Sequence, residues 1–201
     1  MHVMNQTLLL IISVIVAYLI GSIPFGYLAA KWRGINIREV GSGNIGATNI
    51  ARNLGWKLGA VVGVLDFMKS FVPVLIAQLL FDGIGDILLV SIMPIVGHIF
   101  PIWLNFRGGK GVASIFGLLG AYFGLPTFLG FLLAWFLVVK QVRLMSLVNL
   151  IVALLIPVVF WLKYAQLAFI LFGVLLGGII WITHRANIKR LLAGEENKIT
   201  L

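Results

Sequence analysis

Between residues 8 and 182 the sequence is a succession of apolar runs, and the short segments between them hold most of its polar residues. A helix needs about 20 predominantly apolar residues to cross a bilayer. Runs suited to that cover roughly 8–30, 56–80, 87–106, 146–162 and 164–182. A further apolar stretch, 111–139, is interrupted at Gly124-Leu125-Pro126. Of 201 residues 61% are hydrophobic and only 10% are charged, whereas a soluble domain carries nearer a quarter charged residues. The chain therefore reads as an all-α polytopic membrane protein, with residues 1–201 forming one integral membrane domain without repeat or linker. The opening "MHVMNQT" lacks the basic flank of a cleaved signal, so the first run reads as a retained helix. No cysteine is present, which excludes disulfides, thiolate metal sites and thioester chemistry on the protein.

The net charge of +9 would raise the question of nucleic acid in a soluble protein. Here the basic residues lie in connections between apolar runs, as the positive-inside rule requires, and no nucleic-acid partner is expected. If Gly124–Pro126 is a turn, seven helices result and every second connection is basic. Those connections hold thirteen of the fifteen Lys and Arg, and the opposite ones hold only Lys163, with Lys69 inside a run. The count predicts seven spans, the N-terminus outside, the C-terminus in the cytoplasm and the active site at the cytoplasmic face. The 111–123 helix is the weak member, because at about 1.5 Å per residue it reaches only roughly 20 Å.

Three polar clusters fall on that face. "GSGNIGATN", 41–49, combines glycines with Ser42, Asn44 and Asn49, and Arg52 follows. Glycines and short polar side chains at this density leave backbone N–H groups able to converge on one object. "NFRGGKGVAS", 105–114, places Gly108, Gly109, Lys110 and Gly111 immediately before an apolar helix. Close backbone approach, a helix N-terminus and a point charge suit a phosphate. Alone, the same residues would equally make a tight turn with a headgroup-facing lysine; beside the Ser42/Asn44 cradle, an anion site is the better reading. The Walker spacing is absent, since Gly111 follows Lys110. "THRANIKRLLAGEE", 183–196, carries the third cluster.

Of the histidines, His98 lies within an apolar run and suits a structural hydrogen bond as well as catalysis. His184, at a membrane boundary near Asn187, could orient an alcohol or take its proton; an interfacial helix cap is the plainer alternative. Asp66 and Lys69 share a helix face and read first as an intrahelical ion pair. His-x-x-x-x-Asp and G-x-S-x-G are both missing, which removes the common glycerolipid acyltransferase motif and the nucleophile elbow. The scattered histidines make no metal site. A transporter using the same anion site, or a membrane scaffold, is the competing class. Polar groups gathered at helix ends rather than at the midplane count against the transporter.

Taken in order, Gly-Ser-Gly-Asn-Ile-Gly-Ala-Thr-Asn, Phe-Arg-Gly-Gly-Lys-Gly-Val-Ala and His-Arg-x-Asn-Ile-x-Arg-Leu resemble the bacterial acyl-phosphate-dependent glycerol-3-phosphate acyltransferases, and the likeness runs through essentially the whole chain. The resemblance implies transfer of a fatty acyl group from acyl phosphate to the 1-hydroxyl of glycerol 3-phosphate. Lysophosphatidic acid and inorganic phosphate would be the products, in the first step of bacterial phospholipid synthesis, with no cofactor. It implies a multi-pass protein of the bacterial inner membrane, with the lipid bilayer as its surroundings. Docking of a soluble acyl-phosphate-producing enzyme on the basic face stays open. By motif position, Ser42, Lys110, His184 and Asn187 would be catalytic. Gly41, Gly43, Asn44, Asn49, Arg52, Gly108, Gly109, Gly111, Ser146 and Arg190 would hold substrate or phosphate, and Glu196 matches the last motif. Either His184 or an oxygen of the substrate phosphate would take the proton.

Overall fold

The computed structural model describes residues 2–199, with side chains from Gln6 onward, so the N-terminal "MHVMNQT" reading rests partly on residues outside these. Every regular element among the described residues is helical. They group into two compact units that divide after Tyr122.

The first unit contains α1 (His2–Ser22), α2 (Phe25–Trp32), α3 (Ala47–Leu54), α4 (Trp56–Leu80), α5 (Ile84–Ile99) and nearly all of α6 (Val112–Phe123). The single helix expected over 8–30 is broken at Ile23-Pro24. Proline lacks an N–H and pushes the preceding residue out of helical geometry. The break exposes the carbonyl of Ile23, which Lys69 Nζ takes at 2.9 Å. The expected 87–106 helix stops at Ile99 for a related reason: Pro101 follows, Phe100 turns out of the helix, and a single 3-10 turn covers Ile102–Leu104. Small residues set the spacing. Gly21 of α1 lies on the backbone of Pro94, and Gly97 of α5 lies on that of Tyr18 and Ser22. Backbones at that separation gain dispersion contacts that lipid cannot replace. Beneath the loops, Ala30, Ile37, Ile45, Ile50 and Val62 form an apolar cluster that seats α2 and α3 on α4.

The second unit contains α7 (Leu125–Val142), α8 (Met145–Tyr164), α9 (Leu167–Thr183) and α10 (Arg185–Leu192). The interruption at Gly124–Pro126 is a helix boundary, with Pro126 in the first turn of α7, where its missing N–H costs nothing. Gly173 and Gly177 bring α9 against Pro157 and Ala153 of α8. Phe160, Tyr164, Phe169 and Phe172 close one end of that pair, with the Tyr164 and Phe169 rings stacked at 4.1 Å.

Leu129, Leu133 and Leu137, four residues apart on α7, form an exposed apolar stripe; Leu8, Ile11 and Ile15 do the same on α1. Water would penalise such stripes and a bilayer does not. Among the described residues, five helical stretches are long and apolar enough to cross a membrane, namely Gln6–Trp32, Trp56–Leu80, Ile84–Leu104, Leu125–Val142 and Met145–Tyr164. A sixth results if α9 and α10, bent by 62°, count as one. The seventh expected span corresponds to α6, whose 12 residues reach about 18 Å against a hydrocarbon core of about 30 Å.

Candidate functional site

In the first unit the polar loops are built around buried polar side chains. Asn49, in the first turn of α3, is 2% exposed. Its Nδ2 donates to the carbonyls of Val40 (3.1 Å) and Asn44 (2.9 Å), and its Oδ1 accepts the Ser42 N–H at 3.0 Å and Asn53 Nδ2 at 2.9 Å. Its amide is thus committed to shaping residues 40–44. A buried amide in a loop must satisfy the backbone groups nearby. Asn44 acts similarly on a smaller scale, with Oδ1 accepting the Gly46 N–H at 3.0 Å. The Ser42 side chain is exposed, Gly41 and Gly43 adopt left-handed geometry, and Arg52 is exposed in the last turn of α3.

The second loop folds back on the end of α5. The N–H groups of Gly108 and Gly109 bond to the carbonyls of Ile99 and His98, at 2.9 and 3.0 Å. These two glycines therefore do not offer their amides to an anion, as the loop reading supposed; they let the chain lie flat on α5. A Cβ at Gly109 would run into the imidazole of His98. Beyond the pairing Lys110 is half-buried, and the first turn of α6 begins. Gly111 joins them at φ +82°, a geometry that costs other residues roughly 1–2 kcal/mol. Just upstream, Asn105 and Phe106 are both left-handed, at φ 53° and 59°, a strain of about 1–3 kcal/mol each. The Phe106 N–H bond to Pro101 O, at 3.0 Å, helps to hold that turn.

The two loops meet through a residue counted in the sequence only as charge. Arg38 Nη2 donates to the carbonyl of Arg107 at 2.6 Å, across 69 residues. Below them, Lys69 Nζ lies 2.7 Å from Asp66 Oδ1, the ion pair the spacing suggested, and His98 Nδ1 faces the same oxygen at 3.5 Å.

The second unit arranges its own cluster where α9 bends into α10. His184 is 2% exposed and is both the last cap of α9 and the first of α10. Its Nδ1 lies 2.8 Å from the Ile180 carbonyl. A carbonyl only accepts, so Nδ1 carries the proton and Nε2 of the neutral ring is the acceptor. Glu196 ties the third motif together, with Oε1 accepting from Asn187 Nδ2 and Oε2 from Arg190 Nε, both at 2.8 Å. Helix α10 packs on α8 and α9, and the Ile199 N–H reaches the Arg143 carbonyl at 2.8 Å. Ser146 opens α8, buried, with its hydroxyl unpartnered among the described residues. The cue to Glu196 was its place in the motif; nothing marked Arg38.

Fold and loops together define the class, an all-helical integral membrane protein whose chemistry-bearing residues occupy loops and helix ends. Residues 11–194 match the family model described as glycerol-3-phosphate acyltransferase. The glycerol-3-phosphate acyltransferase of Wolbachia pipientis wMel is 41% identical over 93% of this chain and 96% of its own length. That of Carboxydothermus hydrogenoformans is also 41% identical, over 95% and 97%. Among solved structures, the glycerol 3-phosphate form of PlsY, an integral membrane glycerol 3-phosphate acyltransferase, superposes with a TM-score of 0.88. It is 36% identical over 95% of this chain and 96% of that one. The lysophosphatidic acid form superposes with a TM-score of 0.86 at 35% identity, over 95% of both chains. The chain belongs to the glycerol-3-phosphate acyltransferase family.

Proposed function

We propose that this protein transfers a fatty acyl group from acyl phosphate to the 1-hydroxyl of glycerol 3-phosphate, releasing lysophosphatidic acid and inorganic phosphate. The observation that carries the reading is the Arg38 bridge, which joins the Ser42/Asn44 loop to the loop bearing Lys110. Two phosphates, one on each substrate, need such a concentration of amides and cations. Lys110, Arg52, Ser42 and the first turn of α6 would supply it. In the second unit, the resemblance assigns substrate contacts to Ser146, Asn187 and Arg190 and the glycerol hydroxyl to His184, whose Nε2 would accept its hydrogen bond.

Chemically the donor is already a mixed anhydride. The hydroxyl oxygen attacks the acyl carbon, the ester C–O bond forms, and the anhydride C–O bond to phosphate breaks. The proton passes to a phosphate oxygen or to His184. Without cysteine or a nucleophile elbow, direct transfer is the economical route, and placement plus charge screening remain for the protein. We further read the chain as one domain of a bacterial inner-membrane protein, with seven spans and its N-terminus outside. Its basic face is open to a soluble enzyme that makes acyl phosphate.

The test is to mix purified protein with acyl phosphate and glycerol 3-phosphate and to measure phosphate release together with lysophosphatidic acid. Lack of both products would sink the reading. Lys110→Ala should lower kcat/KM for glycerol 3-phosphate about ten- to a hundredfold, since a charge-assisted contact is worth roughly 1.5–3 kcal/mol.

A further inference from the structure

Beneath the two loops of the first unit lies a charged cluster that the proposed chemistry does not use. Asp66 and Lys69 are 2% and 4% exposed, in the middle of an apolar helix, and His98 is 4% exposed. Such groups are costly inside a membrane span and generally serve a specific purpose there. Stability alone is a poor purpose, because apolar residues of similar volume often replace a buried ion pair without loss.

What distinguishes this cluster is where its arms end. Lys69 Nζ continues to the Ile23 carbonyl at the α1–α2 break, which also accepts the Phe25 N–H, and it lies 5.7 Å from the Phe25 ring. The Asp66 carbonyl accepts the Ser114 hydroxyl, at 3.1 Å, from the first turn of α6. The Gly109 N–H bonds to the carbonyl of His98, whose ring fills the space a Cβ on Gly109 would need. The cluster thus touches the chain on both sides of Lys110, at Gly109 and at Ser114.

We propose that Asp66, Lys69 and His98 are positioning residues: Asp66 orients the His98 ring as a floor under Gly109, and Lys69 locks the same carboxylate to the α1–α2 break. Lys110 is thereby set where it meets the substrate phosphate. At 3.5 Å the Asp66–His98 contact is not a hydrogen bond, and neither Asp66 Oδ1 nor His98 Nδ1 has a hydrogen-bond partner among the described residues, so the carboxylate acts on the ring through its charge. The inference rests on the reading of the glycine loop as a glycerol 3-phosphate site.

The experiment compares kinetics and unfolding midpoints in detergent for Asp66→Asn, His98→Phe and their double variant. Tyr122→Phe is the control, because it removes another buried polar contact of this unit, to Ser91 at 3.1 Å, away from the loop. A misplaced loop should raise KM for glycerol 3-phosphate about ten- to a hundredfold in each single variant. The double variant should be no worse than the worse single one, and Tyr122→Phe should keep its KM despite a comparable fall in midpoint. Unchanged KM in folded variants, or losses that multiply, would overturn the proposal. If Asp66→Asn fails to fold, Asp66→Asn with Lys69→Met leaves no unpaired charge, and a wild-type KM in that protein is equally fatal. Lys110→Ala separates the two levels of failure. If it raises KM while the cluster variants do not, only the positioning role falls; if it leaves KM unchanged, the loop assignment falls with it.

Discussion

Asn49 shows how one side chain can shape a loop. Its Oδ1 holds the Ser42 N–H and its Nδ2 holds two carbonyls of the same loop. Asn49→Ala strips partners from several half-buried groups, each costing at most about 1–3 kcal/mol where water does not replace the lost bond. Hydrogen exchange should then speed up at the Ser42 amide and its neighbours while α4 stays protected; equal protection in both proteins would contradict the assignment. His184 invites a different measurement. With Nδ1 turned to the Ile180 carbonyl, Nε2 is set to accept from a hydroxyl, which suits orientation of the alcohol. His184→Asn should then retain appreciable activity and keep the acid limb of its pH profile, because the second ionisation of the substrate phosphate, near pH 6, sets that limb. Disappearance of the limb in His184→Asn would make the imidazole the base.

At the scale of elements, helix breaks do the organising. Pro24 separates α1 from α2 at the carbonyl that Lys69 reaches, while Pro101 ends α5 so that the chain can return over it as the glycine loop. Gly111 is the hinge from that loop into α6, at φ +82° with Ile95 and Ile99 close by. An alanine there meets both the left-handed penalty and those side chains. Gly111→Ala should therefore lose most of its glycerol 3-phosphate turnover, with a modest fall in unfolding midpoint, roughly 1–2 kcal/mol of backbone strain. Turnover within a factor of two or so of wild type would mean that the hinge geometry does not matter to the reaction.

For the molecule as a whole, the lipid-facing stripes of α1 and α7 and the distribution of charge are the two governing facts. Thirteen of fifteen basic residues in alternate connections predict that Lys57, Lys110, Arg143 and Lys198 all face the cytoplasm. The chain has no cysteine, so single cysteines beside each of these positions give a clean assay in intact cells. A membrane-impermeant thiol reagent applied outside should leave all four unlabelled until the cells are opened. Labelling near Lys110 or Arg143 from outside would break the seven-span arrangement, and it bears directly on α6, the helix too short by length alone.

The apolar runs, the interruption at Gly124 and the three polar clusters were legible in the sequence, since hydropathy and glycine act on the residues next to them, whereas the breaks at Pro24 and Pro101 fell inside runs that read as continuous. The Asp66–Lys69 pair was legible for the same reason, lying within one helical turn. Other features depended on the fold. That Asn49 supports the loop, that the Gly108 and Gly109 amides pair with α5, and that Arg38 reaches the Arg107 carbonyl could not be read from spacing. Hydrogen-bond partners 46 or 69 residues away, as for Lys69 with Ile23 and Arg38 with Arg107, are chosen by which backbone groups the packed helices leave unsatisfied. Only the tertiary structure makes that choice, because a buried polar group must find its partner among whatever the fold has brought within about 3 Å.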